Sequence, residues 1–267
     1  MQGVSGCREK MNLIPRSEPK WYSCWRSLTQ AWPDLRPALS QSEFQGLAAM
    51  ALAAFLLVIG IDVVAGLLKY KGYLSPDVTR FYRLSEQGSL GEFTGYIAMQ
   101  MAMLFTLMLS IRLRSSLHVM IAVLLEYLML DDMFMLHEAA GSSLAQMFFP
   151  KQSLLPVQAL GELCFGGMFC LVMVGVVVLA TRASMPYLRS LCVLLFAPLC
   201  LLAFCSVGVD FLHALVSRES KFLDGIMALL EDGGELLAMF LLMLVAMAQW
   251  LVFSMRPYKA QKALISP

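Results

Sequence analysis

The sequence predicts an all-α membrane protein with six transmembrane helices in a bundle, and three observations support this fold class. Hydrophobic residues make up 59% of the 267 residues, whereas charged residues make up 15%. The mean hydropathy is +0.70. Six apolar stretches are long enough to cross a bilayer, which takes about 20 helical residues. This composition excludes an ordinary soluble domain, a disordered chain and a protein that binds nucleic acid through bulk positive charge.

The predicted spans define a transmembrane domain over residues 46–255, with a segment 1–45 before it and a tail 256–267 after it. In chain order the spans cover about 46–68, 93–111, 117–138, 162–181, 191–213 and 231–254. If the N-terminus is cytoplasmic, thirteen of the 20 Lys and Arg residues lie on the cytoplasmic side. Because Lys and Arg concentrate in cytoplasmic loops, we expect both termini to be cytoplasmic.

The segment before the first span is basic and rich in Trp. Its residues Trp21, Trp25, Leu28 and Trp32 follow helical spacing and form an apolar stripe. One interpretation is an interfacial helix that lies on anionic lipid, and the other is that these side chains dock against the protein itself. No stretch here resembles a cleaved signal peptide, so the first span is expected to act as an uncleaved signal.

The seven Cys residues do not form a C-x-x-C pair, and five of them lie in apolar runs. An odd number without metal-site spacing predicts free, buried thiols rather than a disulfide framework.

Acidic residues collect at one end of the spans. Because successive spans run in opposite directions, these residues all fall on the predicted non-cytoplasmic side. They are Asp62, Glu92, Asp131, Asp132, Glu162, Asp210, Glu231, Asp232 and Glu235. His137, Glu138 and His213 join this layer, and Glu126 lies deeper. The apolar runs of spans three to six supply no Lys or Arg to it, so the carboxylates must be protonated, neutralised by a metal ion, or open to water.

Helical spacing selects eight of these side chains as one site, because residues three, four, seven or eleven apart share a helix face. The pairs are Glu126 with His137, Asp131 with Glu138, Asp210 with His213, and Glu231 with Glu235. Gly233 and Gly234 are expected to allow close backbone approach there. We expect Asp62, Glu92, Asp132 and Asp232 to face water at the membrane edge, and His118 to be an interface residue.

Carboxylates and two His on four helices are the ligand types of carboxylate-bridged metal sites in helical bundles. The match is partial, since Asp210-x-x-His213 is the one pair with acid-x-x-His spacing. The predicted metal ligands are Asp131, His137, Glu138, Asp210, His213, Glu231 and Glu235, and Glu126 is the predicted catalytic acid or base. The ligand types suit a divalent metal such as Zn, Fe or Mn.

Two motifs carry a resemblance to a known group of sequences. The runs 131–138 (DDMFMLHE) and 231–235 (EDGGE) are similar to those of uncharacterised bacterial multi-pass membrane proteins, which carry an acidic pair followed by His-Glu in one span and an acidic cluster in a later span. The resemblance implies that the two motifs belong together. We expect the protein to reside in a bacterial inner (plasma) membrane. It brings no established activity.

Three functions remain open at this point. The first is a metal-dependent membrane enzyme that acts on a lipid-like substrate. The second is a proton or divalent-cation transporter, although the cytoplasmic halves of the spans lack ionisable residues. The third is a non-catalytic membrane subunit or assembly factor, whose protein partners the sequence does not identify. In all three cases we expect the lipid bilayer to surround the protein.

Overall fold

A computed structural model describes residues 35–84, 86–148, 157–183, 186–216 and 220–255, and every regular element in these ranges is helical. The elements are α1 (Ser42–Tyr70), α2 (Pro76–Tyr82), α3 (Leu90–Leu113), α4 (Ser116–Met133), α5 (Leu136–Phe148), α6 (Val157–Ala183), α7 (Pro186–Ala203), a π-helix (Phe204–Val209), α8 (Asp210–Val216) and α9 (Lys221–Met255). The prediction of an all-α protein is confirmed. The Trp-rich stripe and the tail lie outside the described residues.

Within the described residues, five helical segments are long and apolar enough to cross a membrane: Ser42–Tyr70, Leu90–Leu113, Val157–Gly175, Ser190–Val216 and Leu223–Met255. They correspond to predicted spans one, two, four, five and six. Helix α4 lies where the third span was predicted and has 18 residues, but it carries Glu126, Asp131 and Asp132. The chain is therefore a multi-pass membrane protein, and its five long apolar segments lie at five of the six predicted spans.

The first turn of α3 is held by reciprocal capping. The Ser89 hydroxyl accepts a hydrogen bond from the backbone N–H of Glu92 at 3.2 Å, and the Glu92 carboxylate accepts one from the N–H of Gly88 at 2.7 Å. A Ser followed three residues later by Glu is the usual signature of such a cap. The cap fixes the Glu92 carboxylate at the end of the bundle where the acidic residues gather.

The prediction of one continuous span over 117–138 is wrong. Helix α4 ends at Met133, Met135 adopts a left-handed conformation with φ of 51°, and α5 begins at Leu136. The N–H of Met135 bonds to the carbonyl of Asp132 at 3.1 Å, which closes the end of α4. Two carboxylates at a helix C-terminus oppose its dipole, which favours termination here. His137 and Glu138 therefore lie on a separate helix.

Glycines let the helices around the acidic residues approach one another closely. A Cβ on Gly141 of α5 would lie 2.8 Å from the backbone nitrogen of Glu162 in α6. A Cβ on Gly234 of α9 would lie 2.5 Å from the sulfur of Cys205 in the π-helix. Side-chain contacts this short do not occur in folded proteins, so both positions require glycine, as expected for Gly234.

The interpretation that Asp62 faces water is wrong. Asp62 is buried, with 7% of its surface exposed. Its carboxylate accepts a hydrogen bond from the N–H of Leu84 at 2.9 Å and pairs with Nε of Arg83 at 3.2 Å. Because an unpaired carboxylate would be costly at this depth, the two partners explain why Asp62 is stable in the bundle. Asp62 thus ties the connection between α2 and α3 to α1.

The prediction that His118 is an interface residue is wrong, because His118 is fully buried inside the protein. His118 lies in the contact between α4 and α7. Its Nδ1 lies 2.9 Å from the hydroxyl of Ser115, and its Nε2 lies 3.8 Å from the sulfur of Cys192.

The prediction of free thiols is confirmed for the five described cysteines, although Cys164 and Cys200 are exposed rather than buried.

Candidate functional site

A polar cavity of about 390 Å³ lies at the end of the bundle where α3 begins and α4 ends. Eight carboxylates line it: Glu92, Asp132, Glu138, Glu162, Asp210, Glu231, Asp232 and Glu235. His137 also lines it, and the described lining includes no Lys or Arg. The predicted acidic layer therefore surrounds one cavity rather than being spread around the rim of the bundle.

An apolar cavity of about 200 Å³ adjoins the polar one and is lined mainly by residues of α4, α6 and α7, with others from α3, α5, the π-helix, α8 and α9. Most of its lining is apolar and includes Phe165, Phe169, Met173 and Phe196. Both cavities share one set of lining residues: Asp132, His137, Glu162, Ser206, Asp210, Glu235 and Met239. We call this set the junction. It places ionisable groups where a polar space meets an intramembrane apolar space.

Asp131 and His137 form a pair at the junction. Nδ1 of His137 lies 3.1 Å from Oδ2 of Asp131 across the break between α4 and α5. This hydrogen bond raises the pKa of His137, against the lowering effect of burial. It also leaves Nε2 as the ring nitrogen available to a substrate, a water molecule or a metal ion. The other oxygen of Asp131, Oδ1, is buried and has no hydrogen-bond partner among the residues that the structure describes.

His213 is held between two carboxylates. Its Nδ1 lies 2.6 Å from Oε2 of Glu231, and its Nε2 lies 3.0 Å from Oδ1 of Asp224. Both ring nitrogens can donate to carboxylates only in the doubly protonated imidazolium. His213 thus has no ring nitrogen left for a metal ion in this geometry, and it supplies a positive charge behind Glu231.

Neighbouring side chains affect the charge of the acidic cluster. The Tyr96 side chain is a neighbour of the Asp132 carboxylate. The carboxyl groups of Asp210 and Glu231 are also neighbours, and two like charges this close oppose each other's ionisation. Burial raises the pKa of Glu138, which lies on α5. Protonation at these groups would reduce the negative charge that faces the polar cavity.

The structure brings most of the predicted site residues together. Five of the predicted metal ligands line the polar cavity: His137, Glu138, Asp210, Glu231 and Glu235. Asp131 lines the adjoining apolar cavity, and His213 contacts Glu231 from outside the lining. Among the described residues, no three His, Cys, Asp or Glu side chains are arranged closely enough to hold a metal ion.

Glu126 is placed away from this site. Its carboxylate accepts a hydrogen bond from Nε2 of Gln100 at 2.8 Å, and Glu126 is absent from the lining of both cavities. The prediction that Glu126 and His137 share one helix face is wrong because the helix ends between them.

Sequence reasoning missed several members of the cluster. Glu92, Asp132 and Asp232 were expected to face water at the membrane edge, but they line the cavity with the predicted ligands. Asp224 was missed because α9 begins at Lys221, well before the predicted start of the span. The seven-residue spacing between Asp224 and Glu231 is the signal that places both on the face that holds His213.

No curated protein and no solved structure matches this chain. A family model described as "Domain of unknown function (DUF8692)" matches residues 88–250, which is more than half of the chain. The matched region runs from the cap of α3 to the last turns of α9 and contains the whole junction. The chain belongs to the DUF8692 family.

Proposed function

We propose that this protein is an integral-membrane enzyme that acts on a lipid-like substrate at the junction, with a divalent metal ion, Zn, Fe or Mn, held in the polar cavity. The observation that carries the proposal is the contact between an acidic polar cavity and an apolar cavity at His137, Asp132 and Glu235. An amphipathic molecule fits such a pair of spaces, because its polar and apolar parts each meet matching walls.

The residues suited to hold the metal are His137, through Nε2, and the carboxylates of Glu138, Asp210, Glu231 and Glu235. Oxygen ligands with one imidazole suit a hard or borderline divalent ion. The carboxylates must turn toward one another to complete a site. When bound, the ion would supply Lewis-acid polarisation of a substrate oxygen or an activated water.

Asp131 is proposed to orient His137 rather than to bind metal. A carboxylate on Nδ1 fixes the ring and its tautomer, so that Nε2 faces the metal or accepts a substrate proton. His213 is proposed to balance charge behind Glu231. Glu126 remains a proposed acid or base only if the substrate extends to the side of α4 that contacts Gln100.

For the topology, we propose six spans with both termini in the cytoplasm of a bacterium and the cavity at the outer face. Only Arg114 and Ser115 separate α3 from α4, so α4 turns back along α3 as a third span would. The short helix α5, with 13 residues, is not long enough to cross and would lie at the outer surface.

Packing at the opposite end of the bundle favours an enzyme over a transporter. Leu109, Leu113, Leu191 and Phe253 are fully buried there in one apolar cluster. A conduction path from the polar cavity would have to pass this cluster of fully buried hydrophobic side chains.

The test is the metal content of protein purified in mild detergent, measured by inductively coupled plasma mass spectrometry after incubation with Zn, Fe or Mn and removal of the excess. The proposal predicts one or two ions per chain, which are lost in Glu235→Gln and His137→Ala. Glu43→Gln is the control, since Glu43 is exposed at the start of α1. Wild-type protein without stoichiometric metal would overturn the metal-dependent mechanism.

A further inference from the structure

We infer that the ligand of this site is a lipid with a positively charged amine head, whose hydrocarbon chain occupies the apolar cavity and whose ammonium group lies in the polar cavity. The inference names the substrate class of the site under the proposed function, and it rests on that function for the claim that the ligand reacts.

The apolar cavity has the walls that a flexible hydrocarbon chain needs. Phe169 and Phe196 supply flat surfaces, while Met173 and Met99 supply side chains that adapt to irregular shapes. Phe169 also stacks on Tyr127, with ring centroids 5.0 Å apart, which ties α6 to α4 at the wall of the cavity. Asp131 and the junction supply the ionisable groups of this cavity, so its remaining surface is hydrophobic.

The apolar cavity also reaches the surface of the bundle that faces lipid. Val174 on α6 lines the cavity and is 60% exposed, and Cys200 on α7 lines it and is exposed. Both residues lie within segments long and apolar enough to cross the membrane. A chain can therefore enter sideways from the bilayer without leaving a hydrocarbon environment.

The charge of the polar cavity selects the head group. Eight carboxylates line it, and its described lining contains no Lys or Arg to receive a phosphate or a carboxylate. Its carboxyl groups therefore outnumber the cationic partners that the described residues offer them, of which His213 beside Glu231 is one. A primary ammonium head meets this field favourably, whereas an anionic head of equal size is repelled.

The junction sets where the head group lies. A ligand that spans both cavities passes Asp132, Glu235 and His137, because these residues line both spaces. Its first polar atoms then lie beside Nε2 of His137, the ring nitrogen that Asp131 leaves free. The bond nearest to the amine head is thus the one presented to the site.

The experiment uses the full chain in nanodiscs of phosphatidylcholine and three photoreactive probes. Each probe is a single chain of the same length with a diazirine near its end, and the heads are a primary amine, an alcohol and a carboxylate. We expect the amine probe to label α6 and α7 at cavity-lining positions at least tenfold more than the carboxylate probe, with the alcohol between them. Equal or stronger labelling by the carboxylate probe would overturn the inference about the head.

A matched pair of variants tests the position of the chain. Met173→Trp fills the apolar cavity and should reduce labelling at least tenfold, whereas Leu171→Trp on the outer face of the same helix should leave it unchanged, because Leu171 is 76% exposed. If Met173→Trp does not fold, Cys200→Phe fills the cavity from α7. Unchanged labelling in a folded cavity-filling variant would overturn the placement of the chain.

Metal content measured on the same samples separates the two proposals. Amine-selective labelling in protein that binds no metal would support the ligand assignment and remove the metal-dependent mechanism. Stoichiometric metal without amine selectivity would remove the ligand assignment and leave the mechanism standing.

Discussion

Replacing Asp62 with Ala should destabilise the protein by about 3 kcal/mol, although Asp62 lies outside both cavities. The substitution removes the acceptor of the Leu84 N–H and the partner of Arg83 in one step. A hydrogen bond to a charged group contributes about 1.5–3 kcal/mol, and breaking a buried ion pair costs about 3–5 kcal/mol.

The partial exposure of the two side chains places the expected loss of unfolding free energy toward the lower end of these ranges. The side chain of Asp62 is 10% exposed and that of Arg83 is 22% exposed, so water can solvate the guanidinium once its partner is gone. Asp62→Asn keeps an oxygen for the Leu84 N–H and loses only the charge. We therefore expect Asp62→Asn to cost about 1 kcal/mol, a third of the effect of Asp62→Ala.

The assay is equilibrium unfolding in mixed micelles of dodecyl maltoside and SDS, followed by Trp fluorescence. Limited trypsinolysis supplies a local readout, because Lys71, Arg80 and Arg83 lie in the connection that Asp62 anchors. Cleavage there should accelerate in Asp62→Ala before the rest of the chain unfolds. A free energy of unfolding within 0.5 kcal/mol of wild type, with unchanged cleavage, would refute the anchoring role.

Three further outcomes follow from the contacts around the cavity. Gly234→Val should prevent α9 from approaching the π-helix and destabilise the fold by about 1–3 kcal/mol or more in the same unfolding assay. The control is Gly225→Ala, which should be neutral or slightly stabilising because the space around its Cβ position is open. Asp131→Ala should weaken metal binding about 10–100-fold in a competitive chelator titration, because His137 loses its orienting carboxylate, and unchanged affinity would contradict that role. Ser89→Ala should cost about 1 kcal/mol through the lost cap of α3, and a loss below a few tenths would show that the cap is not used.

The positions of most helices could be predicted from hydropathy alone, because a helix that crosses a bilayer must satisfy its own backbone and therefore leaves an apolar run of fixed length. The break at Phe134 and Met135 could not, since neither Pro nor Gly marks it. It depends on the end of α4 and on the packing of α5 against α6 at Gly141, which are tertiary effects.

The acidic cavity was predictable in outline for a simple reason. Antiparallel spans bring residues from alternate ends to one depth, so the depth of Asp132 or Glu235 follows from topology. Their rotation about each helix does not. The unpredicted break after Met133 separates Glu126 from His137, and the earlier start of α9, at Lys221, brings in Asp224. The apolar cavity left no sequence signal, because its walls are built from separate residues of many helices.

The most direct test of the central claim is X-ray absorption spectroscopy at the edge of the metal bound to the purified protein. We expect oxygen and nitrogen ligands at about 2.0–2.2 Å from the metal, including one imidazole that is lost in His137→Ala and retained in His213→Ala. The distinction follows from the free Nε2 of His137 and from the two carboxylates that occupy both nitrogens of His213. An imidazole signal that persists in His137→Ala and disappears in His213→Ala would contradict the account.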